Sequence, residues 1–137
     1  RRKNSELYTR LFMAAGLAEK EGVIEFNKDN KVLLPKPVYR DSGHKNYHIF
    51  NQYVIRVQER DQLKEYLARN EIGTEIYYPV PFHRQECFAY LNNNDRDFPH
   101  SNFAAEHSLA LPIFPELNEE QIEWVVKKIS EFVLSNP

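Results

Sequence analysis

The sequence predicts an α+β domain in which helices cover a small mixed sheet. Apolar residues recur at helical spacing near both ends of the chain, in residues 2–15 and 119–134. Alternating β-branched and aromatic residues predict a strand over 49–57 and a shorter one over 74–78, with a helix between them. The 137 residues are enough for one domain with a single core.

The first predicted helix, residues 2–15, has one broad apolar face and ends at Gly16. The face consists of Leu7, Tyr8, Leu11, Phe12, Ala14 and Ala15. No Ser, Thr, Asp or Asn precedes the first turn, so its amide groups lack a side-chain cap. Because the first residue is also Arg rather than Met, we expect this chain to be cut from a longer protein.

The strand predicted over 49–57 is the strongest in the sequence, and we expect it to be central. The alternation puts Tyr53, Ile55 and Val57 on one face and Gln52, Val54 and Arg56 on the other. Residues 32–34, stopped by Pro35, predict a short edge strand. Residues 41–46 have turn chemistry and predict a loop. Asp61 is predicted to cap the next helix. Because this helix connects the 49–57 and 74–78 strands, the two strands would be parallel if they are neighbours in the sheet.

The C-terminal part of the sequence predicts three further elements. Residues 86–90 can form one helical turn. Ser101 is predicted to cap a short helix that ends at His107. Residues 109–115 predict a third strand or extended segment. In the last helix, residues 119–134, Asn118 and Gln121 form a capping-box pattern. Its apolar face consists of Ile122, Val125, Val126, Ile129, Phe132 and Val133. We expect the three long helices to cover one face of the sheet.

Composition excludes several classes of function. The net charge of -2 disfavours nucleic acid and anionic membranes as partners. No apolar run approaches the ~20 residues that span a bilayer, so we expect no membrane partner. The single cysteine fits a reducing compartment, so we expect a cytoplasmic protein. Of the five histidines, only His44 and His48 have helix-face spacing, and their segment is not helical, so no metal site is predicted. Cys87 could be a nucleophile beside His83, but we favour a small buried thiol.

The stretch 73–85 is the candidate functional segment. Pro79 and Pro81 end the predicted strand and stiffen the loop that follows. This loop carries two phenols, an imidazole, a guanidinium and an amide, which can bind a polar ligand with little loss of entropy. The alternative is a surface connection whose tyrosine rings pack on the core.

Several segments resemble, in wording and order, the C-terminal part of the DegT/DnrJ/StrS-type sugar aminotransferases, which depend on pyridoxal phosphate. They are residues 50–57, 60–61, 72–85, 105–117 and 120–122, together with Arg2, Asn4 and Tyr8. The resemblance covers nearly the whole chain, although residues 17–45 are not distinctive. It implies that residues 1–15 form an interdomain helix and that 16–137 form the small domain of a fold type I enzyme.

The resemblance also implies an activity for the full-length protein. It would be a cytoplasmic homodimer that transfers an amino group, usually from glutamate, to a keto group of a nucleotide-linked sugar in cell-surface polysaccharide or amino-sugar biosynthesis. The family's cofactor lysine and the acidic partner of the cofactor ring lie in the large domain, and no match to those motifs occurs here. We therefore assign no catalytic or cofactor-binding residue, and we expect this chain alone to be inactive and to bind no pyridoxal phosphate.

Within the resemblance, five residues correspond to positions near the mouth of the active site and are expected to bind substrate: Asn51, Gln52, Tyr77, Tyr78 and His83. Phenols can stack on sugar or base faces, and amides and imidazole can bond hydroxyl and phosphate oxygens. Asn51 and Gln52 could instead satisfy backbone groups at the start of a strand. The alternative to an enzyme is a stand-alone α+β module that binds a partner or a small ligand.

Overall fold

The computed structural model describes residues 1–135 of the chain. Within these residues it contains α1 (Arg2–Ala14), β1 (Val32–Leu33), β2 (Tyr53–Val57), α2 (Arg60–Arg69), α3 (Pro99–His107), β3 (Ser108–Leu111) and α4 (Glu119–Ser135). Three short 3-10 helices lie between α2 and α3: Phe82–Arg84, Glu86–Leu91 and Asp95–Asp97. The α+β class and the two terminal helices are confirmed. No helix among the described residues is both long and apolar enough to cross a membrane.

The three strands form one sheet in the order β1-β2-β3, with β2 in the centre. Both pairs of neighbours are antiparallel, so the sheet is not mixed as expected. Ile55 lies opposite Leu109, and Val32 of the edge strand lies opposite Val57. The pleat buries Tyr53, Ile55 and Val57 and leaves Val54 and Arg56 half-buried on the other face, as the alternation predicted.

The strand predicted over 74–78 does not form. Only Glu75 pairs there, through two backbone hydrogen bonds with Ala110 of 3.1 and 2.8 Å. Pro79 and Pro81 lack the N–H groups that a longer ladder needs. Because this bridge is antiparallel to β3, the segment runs in the direction of β2, but β3 lies between them. The parallel pairing expected for neighbouring strands is therefore absent.

The central strand begins at Tyr53 rather than at residue 49. Phe50 has a left-handed backbone with φ of 46°, which is incompatible with an extended strand. Its N–H donates to Nδ1 of His48 at 2.9 Å, and this local bond stabilises a turn in place of a ladder. Residues 49–52 are consequently irregular and do not belong to the sheet.

The core lies between the sheet and three helices, α1, α2 and α4, as predicted. These helices bury Tyr8 and Phe12, Leu63 and Leu67, and Ile122, Val125, Val126 and Ile129 against the inner face of β2. The rings of Tyr8 and Tyr53 stack with centroids 5.0 Å apart. Each fully buried side chain of this size contributes about 1.5–3 kcal/mol, so this face accounts for most of the hydrophobic stabilisation.

The predicted helix caps are confirmed for α4 but not for α2 or α3. In α4, the Gln121 N–H donates to Asn118 Oδ1 at 2.9 Å, and the Asn118 N–H donates to Gln121 Oε1 at 3.0 Å. Asp61 does not cap α2: it lies in the first turn and accepts a hydrogen bond of 2.6 Å from Arg60 Nε. Likewise Ser101 lies inside α3, which begins at Pro99, where a missing N–H costs nothing.

The outer face of the sheet is only partly covered, by α3. Arg56 places its guanidinium 5.8 Å from the ring centre of Phe103. The nearly buried Arg60 donates from Nη1 to the carbonyl oxygens of Ala105 and Ser108, at 3.0 Å each. These contacts hold the end of α3 next to β3 and leave the rest of this face to the long segment between α2 and α3.

Candidate functional site

A cavity of about 620 Å³ lies over the outer face of the sheet. Its floor includes Val54 of β2 and Ala110 of β3, and one wall is α3. The opposite wall is the segment 75–91, which the Glu75 bridge fixes to β3. A volume of this size is typical of sites for small organic ligands.

Four of the five residues predicted to bind substrate line this cavity. They are Gln52, Tyr77, Tyr78 and His83. Asn51 does not line it: its Oδ1 accepts a hydrogen bond of 3.2 Å from Arg1 Nη1, near the start of α1. Phe50, just before Asn51, has a left-handed backbone, and the sequence alternation did not reveal this turn.

The two tyrosines of the cavity wall are exposed. Tyr77 is 52% exposed and Tyr78 is 77% exposed. Their rings therefore do not pack on the core, contrary to one part of the alternative interpretation of this loop. Neither hydroxyl group has a hydrogen-bond partner among the described residues. Both phenols are therefore available to a ligand.

His83, in contrast, is held tightly. Its side chain is only 5% exposed, and its ring stacks on Phe98 with centroids 4.4 Å apart and planes at 20°. Its Nε2 lies 2.9 Å from Oδ1 of Asp95. The ring therefore has a fixed orientation in the cavity wall.

Asp95 is the centre of an ionic network behind this wall. Its carboxylate accepts from Arg84 Nε at 2.6 Å and from Arg84 Nη2 at 2.8 Å, a two-point contact. Arg84 also reaches Glu106 of α3 at 3.5 Å. The hydrogen bonds from Arg84, and then the one from His83, hold the pKa of Asp95 well below its usual range, and Asp95 in turn raises the pKa of Arg84. Asp95 is therefore ionised at neutral pH.

Sequence reasoning missed two features of this site. Asp95 lies in a run of polar residues that reads only as a break, and nothing local indicates its contacts 11 and 12 residues away. Ser101, Ala104 and Ala105 also line the cavity, and their spacing on α3 puts them on one helical face. A face of small residues next to a strand would have indicated open space there.

Cys87 differs from its prediction. It is exposed rather than buried. Its Sγ is 3.8 Å from Gln85 Oε1, and among the described residues it makes no hydrogen bond with His83. The geometry supports neither a buried thiol nor a Cys–His nucleophile.

The described residues do not fit pyridoxal phosphate or a metal ion. None of the nine lysines of the sequence lines the cavity, and none is buried. A lysine that forms the cofactor imine needs a desolvated pocket, which these positions do not offer. No three His, Cys, Asp or Glu side chains within residues 1–135 lie close enough to hold a metal. The cavity instead offers phenols, an amide and an imidazole.

Comparisons with known proteins agree on one family. The model of the DegT/DnrJ/EryC1/StrS aminotransferase family matches residues 1–130. A pleiotropic regulatory protein of Geobacillus stearothermophilus is 42% identical over 96% of this chain and 31% of its own length. A UDP-N-acetyl-3-dehydro-α-D-glucosamine 3-aminotransferase of Acidithiobacillus ferrooxidans is 42% identical over 56% of this chain and 20% of its own length.

A solved structure supports the fold. DesV of Streptomyces venezuelae, in complex with a ketimine intermediate, superposes with a TM-score of 0.67 at 24% identity, over 95% of this chain and 31% of DesV. In these comparisons the chain spans between a fifth and a third of the length of the relatives it matches.

Proposed function

The chain belongs to the DegT/DnrJ/EryC1/StrS aminotransferase family, and from this premise we propose that it is the C-terminal small domain of a sugar aminotransferase. The whole protein would use pyridoxal phosphate to transfer an amino group from glutamate to a keto group of a nucleotide-linked sugar. Residues 1–15 would join the two domains, and 16–137 would form the small domain. We further propose a cytoplasmic homodimer that acts in amino-sugar or cell-surface polysaccharide biosynthesis.

The observation that carries this proposal is the convergence of Gln52, Tyr77, Tyr78 and His83 on one cavity. The first two are separated by 25 positions along the chain, and the bridge between Glu75 and Ala110 brings their segments together. The names of several relatives refer to dTDP- or UDP-linked sugars, which are rich in hydroxyl and phosphate oxygens. The polar groups of the cavity are suited to such a ligand.

Each side chain has a separate task in this proposal. The exposed phenols stack on a sugar or base face and donate hydrogen bonds from their free hydroxyl groups. The amide of Gln52 binds a hydroxyl group from the strand side, and the fixed ring of His83 provides a pre-oriented partner. Pro79 and Pro81 limit the motion of the loop, which lowers the entropy lost on binding.

The cofactor belongs elsewhere in the whole protein. Pyridoxal phosphate provides the electron sink for amino transfer, but the lysines of this chain do not fit it, as shown above. We therefore assign the cofactor to the family's large domain and derive no chemical step on it from these residues. The contribution of this chain is to bind and orient the sugar.

The large domain is also the partner that the surface supports. Tyr78, Val80, Phe82 and Leu91, which line the cavity, are each 47–77% exposed. Soluble monomers rarely expose contiguous apolar patches of this kind without a function. We propose that the large domain of the same protein, or of the second subunit, faces this rim and closes the cavity.

The two half-reactions of the full-length enzyme test the proposal. Tyr78→Phe and His83→Ala should lower kcat/KM for the sugar nucleotide by about ten- to a hundredfold, because each removes a polar partner worth about 1–3 kcal/mol. The glutamate half-reaction does not need the sugar and should keep its rate. Stopped-flow absorbance of the cofactor follows each half-reaction separately.

Tyr90→Phe is the matched control for this experiment. Tyr90 is 73% exposed in the same segment but does not line the cavity, so both half-reactions should be unchanged. Tyr78→Phe is the sharper variant, since His83→Ala also removes a partner of Asp95. Equal losses in both half-reactions would mean that the segment supports the cofactor or the dimer, and no loss in either would refute a role in sugar binding.

A further inference from the structure

Asp95 lies outside the cavity but is bonded to a residue that lines it. Its Oδ1 is 2.9 Å from Nε2 of His83 and also accepts from Nε of Arg84, and its Oδ2 accepts from Nη2 of Arg84. Asp95 is not among the residues that line the cavity. The hydrogen bond to His83 is the contact that links this carboxylate to the cavity wall.

The chemistry of this contact determines which nitrogen of His83 carries a proton. An ionised carboxylate has no proton to donate, so the bond to Nε2 requires a hydrogen on Nε2. In a neutral imidazole with Nε2 protonated, Nδ1 is an acceptor. Arg84 supplies only N–H groups to the same carboxylate, so it favours the ionised form that this bond needs.

The second nitrogen of His83 is left without a protein partner. Among the described residues no hydrogen bond reaches Nδ1. Within residues 1–135, the fully buried polar side-chain atom without a partner is Oδ1 of Asn102. The unbonded Nδ1 of His83 is therefore not fully buried. Stacking on Phe98, together with the bond from Nε2, favours one orientation of the ring about its Cβ–Cγ bond. The ring therefore combines one bonded nitrogen with one that has no hydrogen bond among the described residues and is not fully buried.

We propose that Asp95 is a positioning residue of the cavity: it holds His83 in the Nε2–H form, so that Nδ1 accepts a hydrogen bond from a hydroxyl group of the ligand. The assignment of the hydroxyl to a nucleotide-linked sugar rests on the proposed function. The role of Asp95 in fixing the ring does not rest on the proposed function. It follows from the contacts inside this chain.

The ¹⁵N chemical shifts of the His83 ring test the first half of the proposal, because protonated and unprotonated ring nitrogens resonate far apart. The 137-residue chain is measured at about pH 8.5, above the ordinary titration range of imidazole. Wild type should show a protonated Nε2 and an unprotonated Nδ1. Asp95→Asn should give a mixture of the two neutral forms, and Asp95→Glu should restore the wild-type pattern at least in part.

Asp97→Asn is the matched control. Asp97 lies two residues away in the same 3-10 helix and carries the same charge, and its side chain has no hydrogen bond or ion pair among the described residues. This variant should keep the wild-type pattern. A wild-type ring protonated on Nδ1 would overturn the proposal by itself, even if Asp95→Asn failed to fold. An unchanged pattern in a folded Asp95→Asn chain would overturn it as well.

A ligand titration tests the second half, with UDP-N-acetylglucosamine as the probe. Addition should move the Nδ1 resonance in wild type and in Asp97→Asn, and Asp95→Asn should bind about two- to tenfold more weakly, which corresponds to one ordinary hydrogen bond. If Nδ1 does not respond in wild type, its role as an acceptor for this ligand is refuted. The ring pattern without ligand decides separately whether Asp95 fixes His83, and the Tyr78→Phe kinetics decide separately whether the cavity binds sugar.

Discussion

Tyr78 and His83 show how differently two neighbouring polar residues can serve one site. Tyr78 is 77% exposed and unpartnered, whereas the side chain of His83 is 5% exposed and bonded to Asp95. Their residue types and the nearby prolines are visible in the sequence, so a polar loop could be predicted. Their partners could not be, because the contact with Asp95 depends on how the 3-10 helices fold back on one another.

The ionic network at Asp95 predicts a dependence of stability on pH. Its folded-state pKa is depressed, mainly by the hydrogen bonds from Arg84 and then by the one from His83. The stabilisation is therefore complete above the ordinary aspartate pKa of about 3.9 and is lost as the pH falls from there through the depressed value. Asp95→Asn should unfold at lower denaturant concentration than wild type at about pH 6, and the difference should narrow below about pH 4.

Urea unfolding of both chains at several pH values measures this effect. Asp97→Asn again serves as the control and should stay close to wild type over the whole pH range, because the Asp97 side chain has no ion pair among the described residues. A constant gap between Asp95→Asn and wild type over the whole range would show that the carboxylate contributes through its shape rather than through its charge. We expect a modest gap, because the Asp95 side chain is 53% exposed and solvent screens the pair.

At the scale of elements, those with a complete local pattern were predicted and those that depend on neighbours were not. The alternation of Tyr53, Ile55 and Val57 and the apolar stripe of α4 are each sufficient to identify one face. The 74–78 segment alternates equally well. Its neighbour β3 is 30 or more residues further along the chain, and the two prolines leave only one bridge. Local pattern cannot report such a partner.

The capping box of α4 provides a prediction for an element. Asn118→Ala removes the oxygen that accepts from the Gln121 N–H, and it should lower the free energy of unfolding by about 1 kcal/mol. Gln121→Ala removes the reciprocal bond and should cost less, since the Asn118 N–H can then turn to water. The exposed Glu123→Ala in the same helix is the control and should change stability by at most about 0.5 kcal/mol. Denaturant unfolding checks all three, and equal effects would contradict a specific cap.

At the scale of the whole molecule, the two faces of the sheet have different surroundings. The inner face packs against α1, α2 and α4 and forms the core. The outer face carries the cavity and an apolar rim, and its wall is made of short 3-10 helices rather than of long elements. Periodicity alone contains no information on the arrangement of irregular segments. The prediction that Gln52, Tyr77, Tyr78 and His83 lie near one another therefore came from the resemblance of the sequence to a family.

The placement of the lysines predicts how the isolated chain reacts with pyridoxal phosphate. All nine are exposed or half-buried, and none lines the cavity, so none lies in the kind of enclosed pocket that a cofactor imine needs. Lys128 should be the least reactive, because its hydrogen bond to Glu131 at 2.7 Å raises its pKa and keeps the amine protonated. Borohydride trapping followed by peptide mass spectrometry should therefore show weak labelling spread over several lysines without saturation.

The chain unfolded in urea is the control for this labelling. Folding should not increase the labelling of any lysine, and it should reduce that of Lys128, whose side chain is 15% exposed in the fold. One lysine that is labelled to saturation only in the folded chain would show that this domain forms a cofactor site by itself. That result would place the cofactor here rather than in the large domain. If no lysine is labelled in this way and the full-length Tyr78→Phe enzyme keeps a normal glutamate half-reaction, the two results together would assign sugar binding to this domain and cofactor binding to the large domain.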